Sequence, residues 1–128
     1  MKTYQAVTLA MLAGFGLGAA VIQGLHAQAK PPGFYIAMND VTDRDNYINE
    51  FSKKSTAISK AAGGHFLVQG GQATGLKAEA PKSRIVIIQF DSMDKLLAWF
   101  KSPENTDAQK IADKYATVHS FAVEGVAQ

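Results

Sequence analysis

Residues 84–90, Arg-Ile-Val-Ile-Ile-Gln-Phe, constrain the fold more than any other part of the 128-residue chain. Branched apolar residues fill four consecutive positions, from Ile85 to Ile88, and such a run predicts a β-strand. Because neighbouring side chains of a strand point to opposite faces, a continuous apolar run predicts that both faces are covered. The fold must therefore bury this strand on two sides.

The segments around this strand predict a single α+β domain. Apolar and aromatic runs predict strands at 34–38, 65–69, 84–90 and 119–126. Three- and four-residue apolar spacing predicts a helix between Thr42 and Ala62, with Thr42 and Asp45 as a capping box, and a second helix after Asp91-Ser92. Ser102-Pro103 predicts a further turn or helix. The order is the ferredoxin-like βαββαβ arrangement, a four-stranded antiparallel sheet with its helices on one face.

Helices on one face leave the other face of such a sheet bare, although the apolar run at 85–88 requires cover there as well. The simplest cover is the same face of a second copy, which predicts a two-fold homodimer, a dimeric α/β barrel with a chamber between its sheets. A domain of about 100 residues buries only a little over 60% of the surface that its unfolded chain exposes, so association with a second copy would also stabilise it.

Two glycine pairs enclose residues 65–69 in the sequence Gly-Gly-His-Phe-Leu-Val-Gln-Gly-Gly, which raises the possibility of a phosphate-binding loop. Phosphate-binding loops follow a strand and open a helix. Gly63 and Gly64 instead follow a predicted helix and precede a strand, and no helix is predicted after Gly70-Gly71. The pattern therefore predicts two turns around one short strand, with Gly63 as a left-handed C-cap.

The first 29 residues differ in composition from the rest. A positive start at Lys2, an apolar run from Ala6 to Ile22 and the sequence Ala27-Gln28-Ala29 predict a secretory signal peptide, residues 1–29, cleaved after Ala29. A linker, 30–33, and the domain, 34–128, follow. Cleavage predicts a periplasmic or secreted protein without membrane association; an uncleaved anchor is the alternative, with the apolar run at the short limit for a bilayer.

Charge and cysteine content exclude several classes of function. The net charge is +2, and the lysines are spread among acidic residues, so a nucleic-acid-binding surface is not expected. The absence of cysteine excludes disulfides, thiolate metal sites and cysteine nucleophiles. No His-x-x-x-His pattern or acidic cluster indicates a metal site, and no cofactor is predicted.

Four segments, 35–43, 63–71, 81–104 and 120–126, resemble the domain-of-unknown-function family numbered 1330. The resemblance covers nearly all of residues 34–126. It implies a dimeric α/β barrel similar in shape to cofactor-free monooxygenases, stress-responsive barrel proteins and haem-binding proteins, with no established reaction. Members of the family often carry arginine at the positions of His65 and Gln69 and a carboxylate at those of Met38 and Gln89. The resemblance therefore does not carry charge-pair chemistry over to this chain.

Alternation along the strands predicts which residues line the chamber. Phe66, Val68, Val86, Ile88 and Phe90 are expected to face the helices. The bare face is expected to present Leu67, Ile85 and Ile87 together with the polar residues His65, Gln69, Gln89 and Glu124. The candidate ligand-binding residues are His65, Gln69, Arg84, Gln89 and Glu124. We expect Trp99, off the main apolar stripe of its helix, to pack under the loop after residue 71.

A mostly apolar chamber with a few polar groups predicts binding of a small apolar ligand. A cofactor-free oxygenase or isomerase, with His65 or Glu124 as base, and a haem-binding protein that uses His65 are the alternatives. Each residue also has a structural interpretation: His65 as a hydrogen-bonded histidine at the dimer seam, and Glu124 and Arg84 as members of ion pairs.

Overall fold

The computed structural model describes residues 30–128, so the predicted signal peptide, residues 1–29, lies outside the described part of the chain. Within residues 30–128, four strands and three helices follow one another in this order: β1 (Gly33–Val41), α1 (Arg44–Asn46, Tyr47–Ser52 and Lys53–Ala61 in one run), β2 (His65–Gln69), β3 (Arg84–Phe90), α2 (Met93–Lys101), α3 (Pro103–Tyr115) and β4 (Ala116–Glu124). None of these helices is long and apolar enough to cross a bilayer.

The strands form one antiparallel sheet in the order β2-β3-β1-β4. This is the ferredoxin-like α+β arrangement that the sequence predicts. β1 starts at Gly33, inside the predicted linker, and β4 starts at Ala116, three residues before the predicted strand. β1 lies at the centre of the sheet, where Ile36 is opposite both Ile87 of β3 and Phe121 of β4.

The helix ends show which polar side chains act as caps. The Asp43 carboxylate accepts from the backbone N–H of Asn46 and caps α1, whereas the Thr42 hydroxyl donates to the carbonyl of Tyr115. The predicted Thr42–Asp45 capping box is therefore wrong. Ser92 and Ser102 accept from backbone N–H groups at the starts of α2 and α3, as expected for N-caps.

A π-helical segment, Tyr47–Ser52, widens the first part of α1. It places Tyr47 and Phe51 side by side on the buried surface, with ring centroids 5.1 Å apart. The helix ends at a glycine turn: Gly63 has a φ of 91°, and Gly70, at the other end of β2, has a φ of 71°. The prediction of two turns around a short strand is confirmed.

The main core lies between the helices and one side of the sheet. Trp99 is only 3% exposed there, with its ring 4.9 Å from Phe90 and 5.0 Å from Tyr35 between centroids. The expectation that Trp99 packs under a loop is wrong, because Leu96 and Trp99 form the buried stripe of α2. Leu97, the next residue after Leu96, is 39% exposed.

The two adjacent leucines of α2 provide a matched test of this packing. We expect Leu96→Ala to lower the free energy of unfolding by about 2–5 kcal/mol, because it removes a fully buried side chain and leaves a cavity. Leu97→Ala should change it by less than about 1 kcal/mol. Urea denaturation followed by circular dichroism measures both, and equal effects would contradict the assigned stripe.

Candidate functional site

We call the side of the sheet opposite the helices the open face. The strand register identifies its residues, since directly opposed residues share a face and successive residues alternate. The open face comprises Phe34, Ile36, Met38 and Asp40 of β1, His65 and Val68 of β2, Ile85, Ile87 and Gln89 of β3, and Thr117, His119, Phe121 and Val123 of β4.

The middle of the open face is apolar. Ile36 and Ile87 are opposite each other at its centre, and Phe121 lies opposite Ile36 on the other side. Phe121 is 55% exposed and Val123 is 44% exposed, which is unusual for large apolar side chains that lie next to one another. The open face is therefore an apolar surface that the helices of the same chain do not cover.

Polar groups lie towards the ends of the open face. Asp40 accepts a hydrogen bond from the Ser83 hydroxyl, and its carboxylate lies 3.7 Å from Nε2 of His119. Further along, His65 is directly opposite Gln89. Within residues 30–128, no three histidine, aspartate or glutamate side chains are grouped so that they could hold a metal ion. The open face thus offers hydrogen-bonding groups around an apolar centre.

Gln69 lies on the other side of the sheet from the position that alternation predicts. A β-bulge between Phe66 and Val68 shifts the register, so that Val68 is opposite Ile87 and Gln69 is opposite Val86. Gln69 then reaches α1, where its amide nitrogen donates to the Thr56 hydroxyl at 2.8 Å. The predicted faces of Val68 and Gln69 are therefore wrong.

The remaining predicted residues are divided between the two sides. Glu124 is opposite Gly33, which shares the helix side with Tyr35, so its expected place on the open face is wrong. Arg84 is opposite Asn39 and also lies on the helix side. Of the predicted ligand-binding residues, the structure brings only His65 and Gln89 together on the open face.

Sequence reasoning missed a polar group inside the helix side of the sheet. Asn39 is 4% exposed, and its amide nitrogen donates to the Tyr47 hydroxyl at 2.8 Å, while its Oδ1 has no hydrogen-bond partner. Alternation along β1 could have predicted that Asn39 is buried, because Asn39 lies on the same face as Tyr35 and Ala37, which face the helices. A polar residue at a covered position indicates a specific hydrogen-bonding role.

Residues 32–126 match the family model of a domain of unknown function, DUF1330, and the chain belongs to this family. The resemblance noted in the sequence is confirmed. A search of curated proteins found no match.

Solved structures share the fold at low sequence identity. A protein of unknown function from Rhodopseudomonas palustris aligns with a TM-score of 0.60 and 13% identity, over 85% of this chain and 94% of its own. A conserved protein of unknown function from Bacteroides thetaiotaomicron, described as a possible oxidoreductase, aligns with a TM-score of 0.50 and 9% identity, over 75% of this chain and 99% of its own. These similarities support the α+β fold and carry no information about the reaction.

Tyr35, on the helix side, provides a test of burial through pH. Burial raises the pKa of its phenol above the ordinary value of 10.0, with a smaller opposing effect from a hydrogen bond to Ser120. The folded state therefore favours the protonated phenol. Its contribution to stability is complete below the unfolded pKa near 10 and is lost as pH rises through the folded pKa.

We expect wild-type protein to lose stability between about pH 9 and pH 11, and Tyr35→Phe to lose less over the same range. Urea midpoints at both pH values measure the difference. Tyr115→Phe is the comparison: hydrogen bonding to Glu50 raises the pKa of Tyr115, but its hydroxyl is exposed, so solvent screening should make its effect smaller. An identical alkaline loss in wild type and Tyr35→Phe would contradict the role of burial.

Proposed function

We propose that the chain is exported and forms a two-fold homodimer through the open face, with a small apolar ligand enclosed between the two sheets. The observation that carries the proposal is the contiguous apolar centre of the open face, where Ile36, Ile87 and Phe121 lie side by side. Water contact with such a surface is unfavourable, and a second copy offers a matching surface.

The size of the open face fits a dimer of moderate strength. Four strands about 4.8 Å apart, with about seven residues each, present a flat patch of roughly 400 Å². Two facing patches would together bury on the order of 1,000 Å² of accessible surface, because protruding side chains add to the flat area. This value is close to the lower limit for a specific interface. We therefore expect a dimer that dissociates measurably on dilution.

The twist of each sheet favours a chamber over a flat contact. Adjacent strands rotate by about 20–25°, so two facing sheets diverge away from the line where they touch. The apolar centre would contact the body of a ligand, while the amide of Gln89 and the imidazole of His65 at one end would orient a polar group on it. This combination supports binding of a small, largely apolar molecule.

The proposal is limited to binding. Glu124, one candidate for a general base, lies in register with the helix side and outside the proposed chamber. His65, the other candidate, has an amide as its cross-strand neighbour, from Gln89, and this neighbour cannot act as an acid or base. The imidazole–carboxylate pair described on this face, His119 with Asp40, lies at the opposite end from His65 and Gln89 and so away from the proposed polar contacts of the ligand.

Substitution of Phe121 tests the dimer. Phe121→Asp would bury a charge at the centre of the interface, so we expect the dimer dissociation constant to rise at least about 100-fold. Leu97→Asp is the matched control, because it introduces the same charge on α2, on the other side of the sheet, and should change the constant by no more than about threefold. Sedimentation velocity of residues 30–128 over a dilution series measures both; a wild-type monomer at all concentrations would overturn the proposal.

An uncharged probe tests the chamber separately. We expect N-phenyl-1-naphthylamine to increase in fluorescence with wild-type protein and with Leu97→Asp, because it enters an apolar chamber that the dimer forms. Phe121→Asp should abolish the increase. A wild-type dimer that gives no increase, and that retains no small molecule in native mass spectrometry, would contradict the ligand-binding part of the proposal.

The export proposal has its own test at the cleavage site. Intact-mass analysis of the protein recovered from its host should give the mass of residues 30–128, because signal peptidase requires small residues in the pattern of Ala27 and Ala29. Ala29→Phe should block cleavage, whereas Gln28→Phe, at the intervening position, should leave it intact. A full-length chain in the membrane fraction for wild type would show an anchor and contradict cleavage.

A further inference from the structure

A second site surrounds Arg84, the first residue of β3, on the helix side of the sheet. Its guanidinium carbon lies 5.7 Å from the centroid of the Tyr47 ring. The guanidinium also lies against the backbone of Gly70, where the Cβ of any other residue would overlap it. The guanidinium therefore packs between its own strand, the aromatic ring of Tyr47 and the backbone of Gly70.

The positive charge of Arg84 has no carboxylate partner among residues 30–128. Ion pairs described in that part of the chain, such as that of Lys95 with Asp91, do not involve Arg84. The Nε of Arg84 is buried and has no hydrogen-bond acceptor. Since a buried charged donor without an acceptor is unfavourable, an anion next to the guanidinium would stabilise this arrangement.

The guanidinium borders a cavity of about 390 Å³ between β1, α1 and the ends of the loop that joins β2 to β3. Arg44 and Lys82 also line this cavity, and no aspartate or glutamate does. Three cations without an acid create a positive potential that concentrates anions. The other walls are partly apolar and include Val41, Ile48 and Pro81.

We propose that this cavity binds a small organic carboxylate. The two coplanar carboxylate oxygens would pair with the Nε–H and one terminal N–H of Arg84, a fork geometry that arginine prefers and that gives the buried Nε the acceptor it lacks. The hydrocarbon part would contact Ile48 and the Tyr47 ring, while Arg44 and Lys82 attract the anion from solution. The apolar walls at Val41, Ile48 and Pro81 favour an anion that carries a hydrocarbon part, which inorganic phosphate lacks.

This site is independent of the proposed chamber. All of its lining residues come from one protomer, and Arg84 lies on the opposite side of the sheet from Ile87 and Phe121. Loss of the dimer should therefore leave carboxylate binding unchanged, and loss of carboxylate binding should leave the dimer intact.

Titration of residues 30–128 with butyrate, followed by the Nε–Hε signal of Arg84 in a ¹H–¹⁵N NMR spectrum, tests the proposal. We expect a saturable shift of this signal with butyrate. Butyramide, which has the same shape without the charge, should produce no saturable shift, and sodium chloride at the same ionic strength should not reproduce the effect.

Variants distinguish the effect of the paired N–H donors of Arg84 from the effect of its positive charge. Arg84→Lys keeps the positive charge but removes the paired donors and the Nε–Hε signal, so its titration is followed through the backbone N–H of Gly71, which lines the cavity. Butyrate binding should weaken at least tenfold. Lys110→Gln removes an exposed cation of α3 outside the cavity and should change binding less than twofold. Phe121→Asp should bind butyrate as wild type does. If Arg84→Lys does not fold, the wild-type titration alone decides the question.

Three results would overturn the proposal. Equal shifts with butyramide would show binding through shape alone, and equal shifts with chloride would show general screening of charge. A saturable shift with inorganic phosphate but not with butyrate would show a phosphate site in place of a carboxylate site.

Discussion

Packing of the helices against one side of the sheet determines the chemistry of the whole domain. Tyr35, Phe90 and Trp99 bury their rings on that side. Because the helices pack on that side, they do not cover the opposite face of the sheet. Because β-strands alternate, every large residue buried by the helices has a neighbour that points away from them. The apolar open face therefore follows directly from the strand sequence.

The two faces provide different environments for ligands. The open face is apolar at its centre and broad, so it suits association with another sheet. The helix side contains the buried amide of Asn39 and the guanidinium of Arg84, and these two residues are opposite each other on neighbouring strands. The apolar surface and the charged group therefore lie on opposite faces of one four-stranded sheet.

Apolar spacing predicted the element order, and glycine positions predicted the turns at both ends of β2. Period-two alternation predicted the face of each β3 residue from Ile85 to Phe90, which the register confirms. It failed where the ladder is irregular: the bulge in β2 moves Gln69 to the helix side, and no simple pattern in the sequence marks that bulge. The place of Arg84 could have been predicted, since it alternates with Val86 and Ile88. Packing of Trp99 depended on the rotation of α2, which only tertiary contacts determine.

The β2 bulge also affects how copies of the chain can associate. β2 forms one edge of the sheet, and edge strands expose backbone groups that can pair with strands of other molecules. A strand of five residues with an irregular register offers too few regularly spaced donors and acceptors for such pairing. Growth into extended β-fibrils is therefore disfavoured at this edge.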